Sequence, residues 1–132
     1  MRLAITSTGK DLTSEVDPRF GRAAYFILID MDEISNIDNL DKLNEIKYKL
    51  IDNMQNLDIS QGAGIQAGKT IVDNKVDVVI TGNCGPKAFK VLNSAGIKTI
   101  LNAKGQIRDV ILKFKKGELQ TSQNPNVNGH WV

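Results

Sequence analysis

The residues best able to do chemistry in this chain are gathered in Thr81-Gly82-Asn83-Cys84-Gly85-Pro86-Lys87-Ala88-Phe89. The apolar run Val76-Asp77-Val78-Val79-Ile80 precedes this stretch and a helical pattern follows it. A buried strand thus ends in a small, flexible turn that carries the chain's one cysteine to a helix N-terminus. Free backbone N–H groups and the positive end of the helix dipole make such a place attractive to anions. They also favour a thiolate, the form of cysteine that binds metal. The plainer alternative is a glycine-rich turn with a small buried thiol.

Two other segments carry comparable signals. In Asp17-Pro18-Arg19-Phe20-Gly21-Arg22, Pro18 stiffens the chain and Gly21 allows a sharp turn. Arg19 and Arg22 can then be held at defined positions, or can simply be surface arginines. Gln61-Gly62-Ala63-Gly64-Ile65-Gln66-Ala67-Gly68 formally fits the dinucleotide pattern G-x-G-x-x-A. No strand directly precedes it, however, and the next strand ends in Thr81-Gly82-Asn83 without the acidic residue that holds a ribose. A Walker A loop is not supported: Gly68-Lys69-Thr70 follows, but the position of the motif's first glycine is Ala63 and no strand directly precedes the run. Two readings remain: small residues for close helix–sheet packing, or an anion-binding helix N-terminus at Gly62 and Gly64. A dipole end contributes only about 0.3–1 kcal/mol at an exposed site, so tight binding needs charged helpers. Arg19 and Arg22 are the helpers at hand.

Other chemistries fit poorly. The sole histidine, His130, lies in a polar C-terminal stretch, so Cys84 has no base placed beside it by sequence. An ordinary iron–sulfur cluster takes about four thiolates. Cys84 and His130 together can hold only one edge of a preformed cluster, or share it across a dimer. Two-metal nuclease chemistry needs converging carboxylates. The first strand, Arg2 to Thr6, has none, and Asp77 stands at the start of its strand rather than the end.

The elements that must position these residues follow from periodicity. Leu3-Ala4-Ile5 and Tyr25-Phe26-Ile27-Leu28-Ile29 have strand composition, and Ile46-Lys47-Tyr48-Lys49-Leu50 alternates like a half-exposed strand. Met31 to Asn44 suits either a helical turn or two, through Ile34, Ile37, Leu40 and Leu43, or an exposed loop. Beyond Gly62, a helix with Ile65, Gly68 and Val72 on one face beside Ala67 and Ile71 leads to the strand ending at Ile80. Pro86 opens a helix whose buried stripe is Ala88, Val91, Leu92 and Ala95, and Gly96 caps it. A strand over Ile97 to Ile100 and a helix with Ile107, Val110, Ile111 and Phe114 complete the pattern. This order predicts an α/β fold: a five-stranded mixed sheet with helices on both faces and right-handed crossovers. Ligands in such sheets collect at the carboxyl ends of the parallel strands, where the turns at Thr6 to Lys10 and Thr81 to Pro86 belong. Residues 1–119 form one domain, and residues 120–132 are expected to be a flexible polar tail.

Composition agrees. With 132 residues, 41% hydrophobic and 24% charged, the chain has the size and composition of a globular domain. A net charge of +2, with lysines clustered only at Lys113, Lys115 and Lys116 on what looks like a solvated helix end, gives no case for nucleic-acid binding. A single cysteine suits a reducing compartment, and no apolar run has the length of a secretory leader or a membrane span. A cytoplasmic location is the expectation.

Taken together, Val16-Asp17-Pro18-Arg19-Phe20-Gly21-Arg22-Ala23, Gly62-Ala63-Gly64-Ile65-Gln66 and Gly82-Asn83-Cys84-Gly85-Pro86-Lys87-Ala88-Phe89 resemble the dinitrogenase iron–molybdenum cofactor biosynthesis family, which includes NifX- and NafY-type carriers. The resemblance runs from Met1 to about Leu119, with the three motifs in the family's order. It implies a three-layer α/β/α, ribonuclease-H-like fold without nuclease activity. It also implies non-catalytic binding of an anionic iron–molybdenum–sulfur cluster or precursor, received from and passed to donor and acceptor proteins. By the resemblance, Arg19, Phe20, Gly21 and Arg22 form a basic loop facing the cluster. Gly62 and Gly64 offer backbone N–H groups, and Asn83, Cys84, Gly85 and Pro86 form the opposing turn. Relatives often carry a Cys- or His-rich tail, whereas this tail is rich in asparagine. Cys84 and His130 are the candidate metal ligands. The alternatives are a module binding a phosphorylated metabolite or nucleotide in the same crevice, and an interaction domain with a vestigial site.

Overall fold

The computed structural model describes residues 1–128 apart from 38, 44, 57, 58 and 60. Five strands form one mixed sheet: β1 (Arg2–Ser7), β2 (Tyr25–Asp30), β3 (Lys49–Asp52), β4 (Val78–Ile80) and β5 (Lys98–Ile100), in the spatial order β3-β2-β1-β4-β5. The first three are antiparallel neighbours, whereas β4 runs parallel to β1 and β5 parallel to β4. Four helices, α1 (Leu40–Leu43), α2 (Ala63–Asp73), α3 (Pro86–Ser94) and α4 (Ile107–Lys115), complete a three-layer α/β architecture.

Strand alternation builds two cores, one on each face. Leu3, Ile5, Ile27, Ile29, Val78 and Ile80 point to one side and meet Leu43 of α1 and Ile107, Val110 and Ile111 of α4. Ala4, Phe26, Leu28 and Val79 point to the other and meet Ala67 and Ile71 of α2 and Ala88, Phe89 and Leu92 of α3. The central strands are buried on both faces, which explains their nearly unbroken apolar runs.

Three expectations from the sequence need correction. The third strand covers Lys49–Asp52, not Ile46 to Leu50. Glu45 and Ile46 still donate backbone hydrogen bonds to Lys42 and Leu43 carbonyls, so Ile46 closes a helical turn and sinks into the core. Strand pairing begins only at Lys49, opposite Leu28. Second, the buried stripe of α3 differs from the expected one, and of the residues grouped along α2 in the sequence Ala67, Gly68 and Ile71 are buried but Ile65 and Val72 are not. Small residues (Ala63, Gly64, Ala67, Gly68) and Ile71 face inward on α2, and Phe89 replaces Val91 and Ala95 on α3. Ile65, Val72 and Val91 instead line an outer groove of about 630 Å³ between the two helices, edged by Lys69, Lys87 and Lys90. Gly68 permits this helix pair to approach closely, since a Cβ there would stand 2.8 Å from Val91 Cγ1. Third, the stretch over 120–132, expected to be a flexible polar tail, follows a residue of the core and makes defined contacts where it is described. Leu119 packs on the core, Ser122 N–H donates to Thr99 O on the outer edge of β5 (2.7 Å), and Asn126 reaches the turn after β4.

The Met31 to Asn44 segment combines both of its possible readings. It holds a 3-10 turn (Met31–Glu33) and the single turn of α1, with Ile34, Ile37 and Leu43 buried as anchors. Among the described residues, no helix is long and apolar enough to cross a membrane.

Candidate functional site

Three segments leave the same end of the sheet. Because β3 runs parallel to β1 through the antiparallel β2, the chain exits β1, β3 and β4 on one side. These exits lead into the Arg19–Arg22 loop, the approach to α2 and the turn opening α3.

Buried hydroxyls begin the assembly. Thr6 at the end of β1 and Thr81 after β4 are hydrogen-bonded to one another (2.9 Å), and Thr6 Oγ1 also donates to Asp17 O (2.8 Å). The carboxylate of Asp17, only 5% exposed, accepts from Arg19 N–H (3.1 Å) and Ala24 N–H (3.2 Å), pinching the loop at both ends. Its first contact is an Asx turn of the kind Asp before Pro commonly makes. Asn53 sits fully buried beneath the loop and donates to Gly21 O (3.2 Å) and Ala23 O (2.9 Å). Asn56 in turn donates to Asn53 Oδ1 (2.9 Å) and Ala63 O (3.5 Å), joining this loop to the start of α2. Asn53 and Asn56 were invisible in the sequence because Asn53 serves carbonyls of a loop 30 residues away and Asn56 serves Asn53 itself and the first carbonyl of α2, whereas Asp17 had a local signal.

The loop is stitched directly to the opposing turn. Arg19 and Asn83 form a parallel β-bridge, Phe20 N–H donates to Asn83 O (3.1 Å) and Asn83 Nδ2 donates to Pro18 O (2.9 Å). Backbone meets backbone at two glycines. A Cβ on Gly82 would stand 2.8 Å from Pro18 Cα, and one on Gly21 would stand 2.7 Å from Gly64 N. All three sequence motifs therefore converge.

Their side chains play different parts. The Arg19 side chain is 43% exposed, with Nε 4.0 Å from Asp17 Oδ1. That separation leaves most of the guanidinium free to face a ligand. Arg22 Nη1 donates to Ile59 O (2.7 Å) and Asn56 O (3.2 Å), so this arginine braces the approach to α2. Phe20, expected to face a ligand, is fully buried with its ring centroid 5.7 Å from that of Phe26. It anchors the loop. Gly64 is buried against Gly21, which makes it a packing residue, while Gly62 remains exposed at the N-cap of α2.

Cys84 takes the plainer of the two forms left open by its sequence. Its thiol is fully buried in the apolar core beneath α3, with Sγ 3.6 Å from Gly85 O. Burial pushes its pKa up to about 12, outweighing any pull from the helix dipole. Of the two readings left open by the sequence, the geometry supports the small buried thiol rather than the thiolate. At pH 8, the folded protein should react with a thiol reagent about a thousandfold more slowly than the urea-unfolded chain, as a stopped-flow labelling assay will measure. Because the folded pKa lies above the unfolded one, its stability contribution is intact below about pH 8.5 and declines as pH rises above that. Cys84→Ala should flatten this alkaline slope in urea titrations. Unequal slopes that persist in the variant would assign the effect elsewhere. The second candidate ligand, His130, lies outside the described residues.

Helix ends supply the remaining polarity. No side chain caps α2 or α3, and among the described residues no loop carbonyl meets the first-turn amides of Ala63, Ile65, Lys87 or Ala88. The N-terminus of α4 differs, since Ile107 and Arg108 N–H donate to Ser14 O and Leu12 O. Among the described residues, two of the three long helices thus show first-turn donors without a protein acceptor on the side where Arg19 lies. Among the described residues, no three His, Cys, Asp or Glu side chains cluster as a metal site.

Comparison with known proteins places this arrangement in context. The family model described as dinitrogenase iron-molybdenum cofactor matches residues 1–117. The apo form of the orange protein from Desulfovibrio gigas is 33% identical, superimposes with a TM-score of 0.83 and covers 96% of each chain. A NifB-labelled protein from Thermotoga is 30% identical, with a TM-score of 0.75 over 97% of this chain and 98% of that one. An uncharacterised protein of Methanocaldococcus jannaschii is 29% identical over 107 residues, 81% of this chain and 82% of its own. With the match spanning all three convergent motifs, the chain belongs to the dinitrogenase iron-molybdenum cofactor family.

Proposed function

We propose that this protein is a non-catalytic carrier for an anionic iron–molybdenum or related metal–sulfide cluster, or a precursor of one. Family membership supports a role in iron-molybdenum cofactor biosynthesis or binding. The observation that carries the finer reading is the Arg19–Asn83 bridge, which sets a half-exposed guanidinium beside the turn that opens α3.

The donor set suits a particular kind of cargo. With Cys84 buried and neutral, the described residues offer N–H groups and positive charge rather than metal ligands. A cluster that brings its own sulfide shell needs no protein ligand, only counter-charge and hydrogen-bond donors to its outer atoms. In this reading Arg19, Gly62, Asn83, Gly85 and Pro86 face the cargo. Phe20, Gly21, Arg22, Gly64 and the Cys84 side chain hold the loops in place. Reversible holding without covalent ligation suits transfer between a donor and an acceptor protein, and a cytoplasmic site for that exchange.

Tetrathiomolybdate, an anionic metal sulfide, provides the test. Under anaerobic conditions the wild-type protein should retain its visible absorption through gel filtration. Removing a charge-assisted contact of about 1.5–3 kcal/mol through Arg19→Ala should weaken binding at least about tenfold. Cys84→Ser should leave affinity unchanged. No retention by the wild type, or displacement by equimolar inorganic phosphate or nucleotide, would refute the assignment, and displacement would favour a phosphorylated-metabolite module.

A further inference from the structure

The C-terminal segment returns to the turn that opens α3 and places one side chain on it. Asn126 Oδ1 accepts the backbone N–H of Cys84 (2.9 Å). Its Nδ2 faces three acceptors: Gly82 O (3.1 Å), Asn83 Oδ1 (3.1 Å) and Asn102 Oδ1 (3.2 Å). Two N–H groups shared among three oxygens, plus one accepted bond, satisfy the whole carboxamide. A neutral oxygen thus already sits on an amide of the turn where a ligand oxygen or sulfur would approach α3.

We propose that Asn126 is the residue that sets affinity and selectivity at this turn, by occupying the Cys84 amide until an anion displaces it. The inference rests on the anion-binding reading of the site. Three features support displacement rather than a permanent fixture. The residue is exposed, so its contacts compete with water and each contributes only about 0.5–1.5 kcal/mol. The segment is anchored upstream, at Leu119 in the core and at Ser122 on the β5 edge, so Asn126 can leave without undoing the sheet. Pro125 restricts the backbone just before it, keeping the departed side chain near the turn. An occupant with a neutral oxygen yields readily to a charged one, because charge-assisted bonds to N–H are about twice as strong as neutral ones. Selectivity follows: anionic ligands displace the strap, and neutral ones do not. Removal of a closed state raises apparent affinity by the factor that state had withheld.

The test compares wild type with Asn126→Ala by tetrathiomolybdate titration and by hydrogen exchange at the Cys84 amide without ligand. Asn126→Ala should bind the probe about three- to tenfold more tightly and exchange the Cys84 amide faster. Equal probe affinity, weaker affinity, or unchanged Cys84 exchange would overturn the displacement role. Failure of both proteins to bind, with Cys84 exchange accelerated as expected, would overturn the anion-binding reading and with it the gate. Equal binding by both would overturn the gate alone.

Discussion

Phe20→Ala should lower the unfolding free energy by about 3–5 kcal/mol in urea titrations, the largest stability loss available at the candidate site. Phe20 is fully buried among Phe26, Ala67 and other residues of the α2–α3 core, so its truncation leaves a cavity that rigid strands cannot collapse to fill. The tilted ring contact with Phe26 adds about 0.5–1.5 kcal/mol beyond area burial. The loss also reaches function, because the adjacent residue is Arg19 and the Phe20 amide is bonded to Asn83 O. Tetrathiomolybdate affinity should therefore fall even where the variant remains folded. Phe20→Leu keeps most of the volume and should cost less than half as much. A loss below about 1 kcal/mol for the alanine variant would show that Phe20 is not the loop's anchor.

The second large effect belongs to Gly21 and Gly82. Added Cβ atoms at these sites would lie 2.7 Å and 2.8 Å from the backbone atoms Gly64 N and Pro18 Cα. Backbone has no rotamer to swing aside, so Gly21→Ala or Gly82→Ala must push two segments apart. Overpacking of this kind costs about 1–3 kcal/mol. Separation at Gly82 should also break the Arg19–Asn83 bridge and the Asn83 Nδ2 bond to Pro18 O. For Gly82→Ala, amide NMR spectra should then show shifts at Arg19, Phe20, Asn83 and Asn102, whose N–H donates to Gly82 O, with those of the C-terminal half of α4 unmoved. A variant with wild-type stability and an unchanged Asn83 amide would contradict this close approach.

Both predictions concern contacts between segments remote in sequence, and here the sequence was informative in an uneven way. Its strand and helix periodicities were legible because the central strands are buried on both faces and α4 has one strong apolar stripe. The third strand was displaced because Ile46 serves the core as part of a helical turn, where alternation over a few residues looks the same as a strand. Along α2 the helix period was legible but its buried face only in part: Ala67, Gly68 and Ile71 turn inward, Ile65 and Val72 do not. Glycine and alanine contribute little to an apolar pattern, yet only small residues allow that helix to sit so close to the sheet and the Gly21 loop.

What the residues determined by themselves was the α/β architecture and the set of three motifs, since propensity, turn chemistry and hydrophobic period act within a few positions of the chain. Tertiary structure decided what each motif residue does. Burial turned Cys84 into a neutral core thiol and Phe20 into an anchor, loop carbonyls claimed Arg22, and Asn126 came back to the α3 turn from 42 positions away. Solvation and long-range hydrogen bonding depend on neighbours that the order of residues does not place side by side.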